Sequence, residues 1–454
     1  MVNYVIKTKN MIFDVVACFI VGYILIVFEH PLRLDKCVPA LLMGALTWAL
    51  ISVGNLEVLD HLHQTASLEE VLLHHLGKTA EILFFLIGAM TIVELIDLHK
   101  GFGVITKLVK TQNKIKLLWI TSIIAFFLSA ILDNLTTTIV MVSLLRKLVP
   151  SKVDRLFYIS MIIIAANAGG AWSPIGDVTT TMLWIGKKVS TLSLMTALFI
   201  PSIISLAIPL LFASFLPKMK GSLSVKDKIV NEPDKKLLSS NMMLIIGIGG
   251  LIFVPIFKTF THLPPYMGMM LSLGIVWLVS EYIHPEEKFD KNNKHLFSAL
   301  HALSRIEMSS ILFFLGILLG VGALESVAVI ALNGEKTGFL MNMAMHLQQI
   351  VPNQDLVIFL IGVFSAVIDN VPLVAATMGM YPMDQFPMDS KLWLFIAYSA
   401  GTGGSMLVIG SAAGVAAMGM EKIDFIWYLK NVTWLALLGF IAGGLTFLGI
   451  YPLL

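Results

Sequence analysis

Hydropathy along the chain rises and falls in long blocks. Apolar runs cover residues 11–28, 39–54, 80–97, 156–184 and 192–216, and then 241–257, 265–283, 308–331, 392–420 and 425–451. A helix needs roughly 17 to 25 residues to cross a hydrocarbon core of about 30 Å, so the pattern predicts ten membrane crossings. Two further stretches, 117–149 and 354–380, are as apolar but are interrupted near their middles by "SAILDNLTTT" at 129–138 and "SAVIDNVPLV" at 365–374. The interruptions leave arms of about 10 to 17 residues, too short to cross comfortably, and predict helical hairpins that enter and leave on one side.

The blocks also recur in order. "ILFFLIGAM" from Ile82 is matched by "ILFFLGILL" from Ile311, "SAILDN" by "SAVIDN", and "NAGGAWSPIGD" from Asn167 by "SAGTGGSMLVIGS" from Ser399 with two extra residues. Each half has five crossings and one hairpin, and because five is odd the second copy enters the membrane upside down, the plan of secondary transporters with sites at broken helices near the midplane. The expected fold is therefore an all-α polytopic membrane protein of two inverted repeats, 1–216 and 241–454. The first holds the re-entrant hairpin 117–149 and the broken helix 156–184, and the second holds the hairpin 354–380 and the broken helix 392–420. The charged segment 217–240 reads as a cytoplasmic linker.

Composition sharpens this reading. Of 454 residues, 57% are hydrophobic and only 13% charged, against about 25% charged in soluble domains. With 31 Lys+Arg against 29 Asp+Glu, the balance gives no basic surface for nucleic acid. Placement matters more than total. If the N-terminus is outside, the loops assigned to the cytoplasm hold 22 of the Lys and Arg and the outer segments only eight, the bias of the positive-inside rule. The first hairpin then opens to the cytoplasm and the second to the outside. The run from Met11 to Phe28 is followed by Glu29, His30 and Pro31 rather than a small-residue cleavage site, so it reads as a first spanning helix. Cys18 and Cys37 define neither a disulfide framework nor a metal cluster.

The costly residues are the candidates for chemistry. A carboxylate near the bilayer centre costs about 2.5 to 3.5 kcal/mol on insertion scales and marks a functional site by default; Asp133 and Asp369 stand there, 236 residues apart. Around the first are Ser129, Asn134, Thr136, Thr137 and Thr138; around the second, Ser365 and Asn370, followed by Pro372. Carboxylate, amide, hydroxyl and carbonyl oxygens are what a hard cation takes in place of water. The alternative for each Asp is a helix N-cap at the hairpin turn. The second pair of breaks presents Asn167, Ser173 and Asp177 in one half and Ser399, Thr402, Ser405 and Ser411 in the other. Asp177 aligns with Ser411, so the first half brings the third acid.

The paired "DN" hairpins and Gly-rich breaks resemble the NhaD-type sodium/proton antiporters, over nearly the whole chain from about residue 10. The resemblance implies a scaffold, a mobile transport unit holding the hairpins, elevator-like alternating access and a homodimer. It also implies an ion site at Asp133, Asn134, Thr136, Asn167, Asp177, Asp369, Asn370 and Ser405, supported by Ser129, Thr137, Ser365, Thr402 and Ser411. Sodium or lithium would be held by Asp133 and Asp369. Glu94 and Glu325, late in matching helices, are candidate proton-relay acids or interfacial end residues. His61, His63, His74 and His75 fall in the outer loop 55–79 and read as a solvated loop before they read as a pH sensor.

The leading expectation is exchange of sodium or lithium for protons that compete for buried carboxylates, since burial disfavours the charged form. The alternative within transport is a sodium-coupled anion or arsenite carrier. An anion site would recruit Lys, Arg or helix N-termini, and the four breaks contain no Lys or Arg. An intramembrane aspartyl protease would carry YD and GxGD motifs, which are absent. No P-loop is present, so neither nucleotide nor any cofactor is expected; the partners are membrane lipid and a second copy. The location follows as a bacterial inner membrane or an organellar membrane of bacterial descent.

Overall fold

The structure, a computed structural model, describes residues 2–60, 64–103, 109, 111–223, 237–283, 297–331, 334–367 and 369–453, without the side chains of 2–9, 30 and 31. His61, His63 and most of the 217–240 linker lie outside these residues. The first half runs α1 (Val2–Val27), α2 (Glu29–Leu32), α3 (Cys37–Val53), α4 (Leu68–Leu98), α5 (Lys114–Leu132), α6 (Asn134–Leu148), α7 (Lys152–Ala171), α8 (Val178–Ile185) and α9 (Thr191–Phe215). The second runs α10 (Ser240–Thr261), α11 (Pro265–Tyr282), α12 (Ala299–Arg305), α13 (Met308–Ser326), α14 (Phe339–Ile350), α15 (Gln354–Phe364), α16 (Asn370–Met380), α17 (Lys391–Gly403), α18 (Ala412–Glu421), α19 (Phe425–Asn431) and α20 (Thr433–Ile450). Helices dominate because a chain in lipid must satisfy its backbone polar groups internally.

Among the described residues eight helices are long and apolar enough to cross a membrane: α1, α4, α5, α7, α9, α10, α13 and α20 with its 3₁₀ extension. The first hairpin arm is longer than the sequence suggests, with 19 residues in α5. Helix α4 begins at Leu68, not near residue 80. Ser67 and Glu70 form a reciprocal capping box there, the Glu70 amide donating to Ser67 Oγ (3.3 Å) and the Ser67 amide to Glu70 Oε2 (3.4 Å), a polar start signal that a hydropathy window passes over. His74 and His75 consequently sit on a helix rather than in a solvated loop, and His75 Nε2 lies 2.8 Å from Ser326 Oγ. The 308–331 block stops being helical at Ser326. A two-stranded ribbon, β3 (Ala328–Ile330) with β4 (Lys336–Gly338), and then α14 replace the expected loop. The matching ribbon in the first half is β1 (Val58–Leu59) with β2 (Thr65–Ala66), and the two ribbons touch at Val58 and Val327.

The helices pack in two groups. In one, α1 lies on α3, α3 on α13, α13 on α4, and α4 on α10 and α11, which lie on each other. In the other, α5 and α6 pack on α7, α15 and α16 pack on α17, α7 meets α17, and α9 meets α20. The groups meet where α13 touches α16, α4 touches α8 and α10 touches α5. Pairings recur between halves: α1 with α3 as α10 with α11, α3 with α13 as α11 with α4, and α6 with α18 as α16 with α8. Outward apolar side chains such as Ile24, Ile245, Phe260 and Leu278 form a surface suited to lipid.

At one end of the second group, the buried carboxylate of Glu421 closes α18 against the first hairpin. It takes Arg146 Nε at 2.5 Å and Arg155 Nε at 3.1 Å, while Arg146 also donates to the Met420 carbonyl. Neither Glu421 nor this clasp stood out in the sequence, because its partners are more than 260 residues away.

Candidate functional site

Four short helices begin at the breaks, and each is capped by the side chain that interrupts the chain. Asp133 Oδ1 accepts from the Thr136 amide at 2.7 Å, Asp177 Oδ1 from the Thr179 amide at 3.1 Å, Asp369 Oδ1 from the Val371 amide at 3.2 Å, and Ser411 Oγ from the Gly414 amide at 3.2 Å. The N-cap alternative is therefore what these residues do locally. It accounts for one oxygen of each carboxylate and leaves the second free for other work.

The free oxygens organise the centre. Asp177, 1% exposed, takes both hairpin asparagines on Oδ2: Asn134 Nδ2 at 3.2 Å and Asn370 Nδ2 at 3.3 Å. Asn134 also donates to Asn167 Oδ1 at 2.9 Å, and Asn167 Nδ2 donates to Ser411 Oγ at 2.9 Å. One polar chain thus joins both hairpins and both broken helices. Asp133 lies beside it, its Oδ2 accepting from Thr136 Oγ1 at 3.0 Å, and the charges of Asp133 and Asp369 both reach Asp177. The acids are spread rather than clustered: among the described residues no three His, Cys, Asp or Glu side chains converge as a metal-ligand group.

The supporting hydroxyls brace the arms. Ser129 Oγ donates to the Ala166 carbonyl at 2.6 Å, and its counterpart Ser365 to the Ala400 carbonyl at 3.1 Å. Beside them the backbones nearly touch. A Cβ on Gly169 would stand 2.1 Å from the Phe126 carbonyl oxygen, and one on Gly403 would stand 2.1 Å from that of Gly362, so only glycine fits. These contacts correct the alignment of the breaks. Gly169 answers Gly403 and Gly176 answers Gly410, so "NAGGAWSPIGD" pairs without a gap with "GTGGSMLVIGS" from Gly401. Ser405 and Thr402 do not join the polar chain, since their hydroxyls donate to Thr402 O (2.7 Å) and Tyr398 O (2.6 Å) of their own segment. The Thr137, Thr179 and Ser399 hydroxyls are buried without a partner.

The family described as citrate transporter, CitMHS, matches residues 23–401. Sodium/proton antiporter 1 of Arabidopsis thaliana is 47% identical over 96% of this chain and 72% of its own, and sodium/proton antiporter 2 of the same plant is 45% identical over 95% and 98%. The Na(+)/H(+) antiporter NhaD of Vibrio cholerae is 32% identical over 91% of this chain and 86% of its own. The chain belongs to the NhaD-type antiporter family. As a member it is an integral membrane protein of a transporter family.

In this NhaD-type chain the sequence missed one partner at the site. Lys36, which precedes α3, places Nζ 2.9 Å from Asp369 Oδ2, with side chains 21% and 17% exposed. In the sequence it is one loop charge among others, because it lies 333 residues from its acid. It lines a cavity of about 560 Å³ together with Glu29, Arg33, Asp35, Leu135, Glu307 and Ala412. Leu135 and Ala412 directly follow the Asp133–Asn134 tip and Ser411, so the cavity's wall is formed next to the centre. The relay candidates part ways: Glu94 pairs with Arg305 (2.6 Å) away from the hairpins, whereas Glu325 packs against Gly379 of α16.

Asp133 also holds a backbone conformation, φ +84° and ψ 161°, that L residues rarely adopt. Such positions cost on the order of 1–3 kcal/mol and survive where the surroundings demand a particular side chain. Two variants separate the side chain from the strain. Both Asp133→Ala and Asp133→Gly lose the carboxylate and cap, but glycine relieves the backbone, so Asp133→Gly is expected to be more stable by about 1 kcal/mol or more. Thermal unfolding of the two detergent-solubilised variants checks this; equal melting temperatures would show that the tip carries no strain.

Proposed function

We propose that the chain exchanges sodium or lithium for protons across its membrane by alternating access. The observation that carries this reading is the Asp177 carboxylate receiving Asn134 from one hairpin and Asn370 from the other. One buried acid, ringed by neutral amides and flanked by Asp133 and Asp369, is a site that either a cation or a proton can neutralise. The names of the relatives support the same pair of ions. The repeated pairings of helices and the matched Ser129 and Ser365 braces support two inverted repeats with re-entrant hairpins. The two helix groups fit a scaffold, with α1, α3, α4, α10, α11 and α13, against a transport unit that carries the hairpins and works as an elevator. A homodimer would use the scaffold's apolar face. With the loop charges placing α2 and the loop before α13 in the cytoplasm, the cavity is the inward entrance to the site.

The citrate description of the matching family favours a second reading, a sodium-coupled anion carrier. Against it, two of the three acids at the centre, Asp133 and Asp177, have no Lys or Arg paired with them among the described residues. Purified protein in vesicles with an imposed pH gradient tests both. Dissipation on adding sodium or lithium, without citrate, is the expected result. Citrate-dependent sodium uptake with no cation-driven proton flux would replace exchange by symport.

A further inference from the structure

The ion pair between Lys36 and Asp369 differs from the other hydrogen bonds at the site among the described residues, because it links the two helix groups. Lys36 stands at the start of α3, which packs on α1 and α13, while Asp369 caps α16 at the tip of the second hairpin, which packs on α17. Any displacement of the hairpins relative to α3 must break it. Among the described residues Asp133, the matching acid, is held by donors from its own helix, Thr136 N and Thr136 Oγ1. The pseudo-symmetric start of α11, at Pro264 and Pro265, offers no base. The lysine is thus a deliberate asymmetry between otherwise matched tips.

We propose that Lys36 is the built-in counter-ion of the cation-free transporter: its ammonium occupies Asp369 when no cation is bound, and an entering cation displaces it into the cavity. This rests on the exchange reading above and names the group with which the cation competes. A carboxylate at a poorly solvated tip needs a positive charge beside it, and Lys36 supplies one without a solute ion. The cavity gives the displaced ammonium somewhere to go. Its walls carry Glu29, Asp35 and Glu307 as alternative partners and Arg33 as a repelling charge, while the Phe313 ring, 4.5 Å from Nζ, supports the head from the apolar side. Lysine suits the task better than arginine. Its ammonium is a compact point charge on a flexible stem, close in kind to a hydrated cation, whereas a guanidinium would clamp the carboxylate with two hydrogen bonds and resist displacement.

The test is an order of affinities. Equilibrium sodium binding to the purified protein at pH 8.5 is measured for wild type, Lys36→Gln and Lys36→Arg. Removing the competitor should tighten sodium binding about five- to tenfold, and the guanidinium should weaken it several-fold. Equal affinities, or weaker binding in both variants, would overturn the proposal, because a lysine that merely braces the fold predicts loss in either case. A second readout uses the wild-type protein alone: acetylation of Lys36 by a water-soluble amine reagent, followed by peptide mass spectrometry, should quicken when sodium replaces choline. A labelling rate indifferent to sodium would also overturn it. Wild-type protein that exchanges normally while Lys36→Gln binds sodium unchanged removes only the counter-ion; wild-type protein that neither binds sodium nor moves protons removes the exchange reading and the counter-ion with it.

Discussion

Asp177→Asn is expected to lower exchange by at least about a hundredfold while leaving insertion and yield near normal. The carboxylate takes three donors, Asn134 and Asn370 on Oδ2 and the Thr179 amide on Oδ1. An amide at this position has one acceptor oxygen. If that oxygen keeps the two asparagines, its NH₂ faces the Thr179 N–H, and two donors then oppose each other at the start of α8; if it turns round, the asparagines lose their partner. Either arrangement leaves a buried donor unsatisfied, at a cost of about 1–3 kcal/mol, and both remove the negative charge that a cation requires. The same loss is expected for Asp133→Asn and Asp369→Asn, where the amide oxygen can keep the cap but the negative charge is gone. Cation-induced dissipation of a pH gradient in proteoliposomes measures it. An Asp177→Asn protein at normal yield that keeps a tenth or more of wild-type exchange would take this residue out of the transport path.

Raising the pH is expected to lower the half-saturating sodium concentration by up to about tenfold per unit while each bound cation displaces one proton, and then to have no further effect once the site is deprotonated. The sign follows from competition. Asp133 and Asp369 are close enough for their charges to act on Asp177, and carboxylates that repel one another in a poorly solvated centre need positive charge from a cation, a proton or Lys36. Protons win at low pH and the cation must displace them; at high pH they are already gone. Half-saturation constants for sodium measured from about pH 6.5 to 9.5 on wild-type proteoliposomes would show the slope and the plateau. A constant that does not move with pH would mean separate sites for the two ions.

The sequence by itself determined the breaks, the acids at them and most of the membrane helices: among the described residues, seven of the ten expected crossings hold a helix long and apolar enough on its own, while those at 39–54, 265–283 and 392–420 do not. Hydropathy is a local property that lipid enforces on every spanning segment, and an Asp-Asn pair inside such a segment is visible however the chain packs. Asn134, Asn167, Asp177, Asn370 and Ser411 were legible for that reason, and the structure joins them into one chain of hydrogen bonds. Tertiary structure alone decided which of the flagged groups meet. It turned Ser405 and Thr402 onto their own segment, and it brought Lys36 across 333 residues to Asp369. It also removed the two-residue gap between the Gly-rich breaks, because close backbone approach fixes register more tightly than similarity of letters does. Elements outside the bilayer followed the same division. The capping box that starts α4 was written in Ser67 and Glu70, but the β3–β4 ribbon depends on a partner ribbon from the other half. Local chemistry tells what a residue costs where it stands, and only the packing of distant segments tells which neighbour offsets that cost.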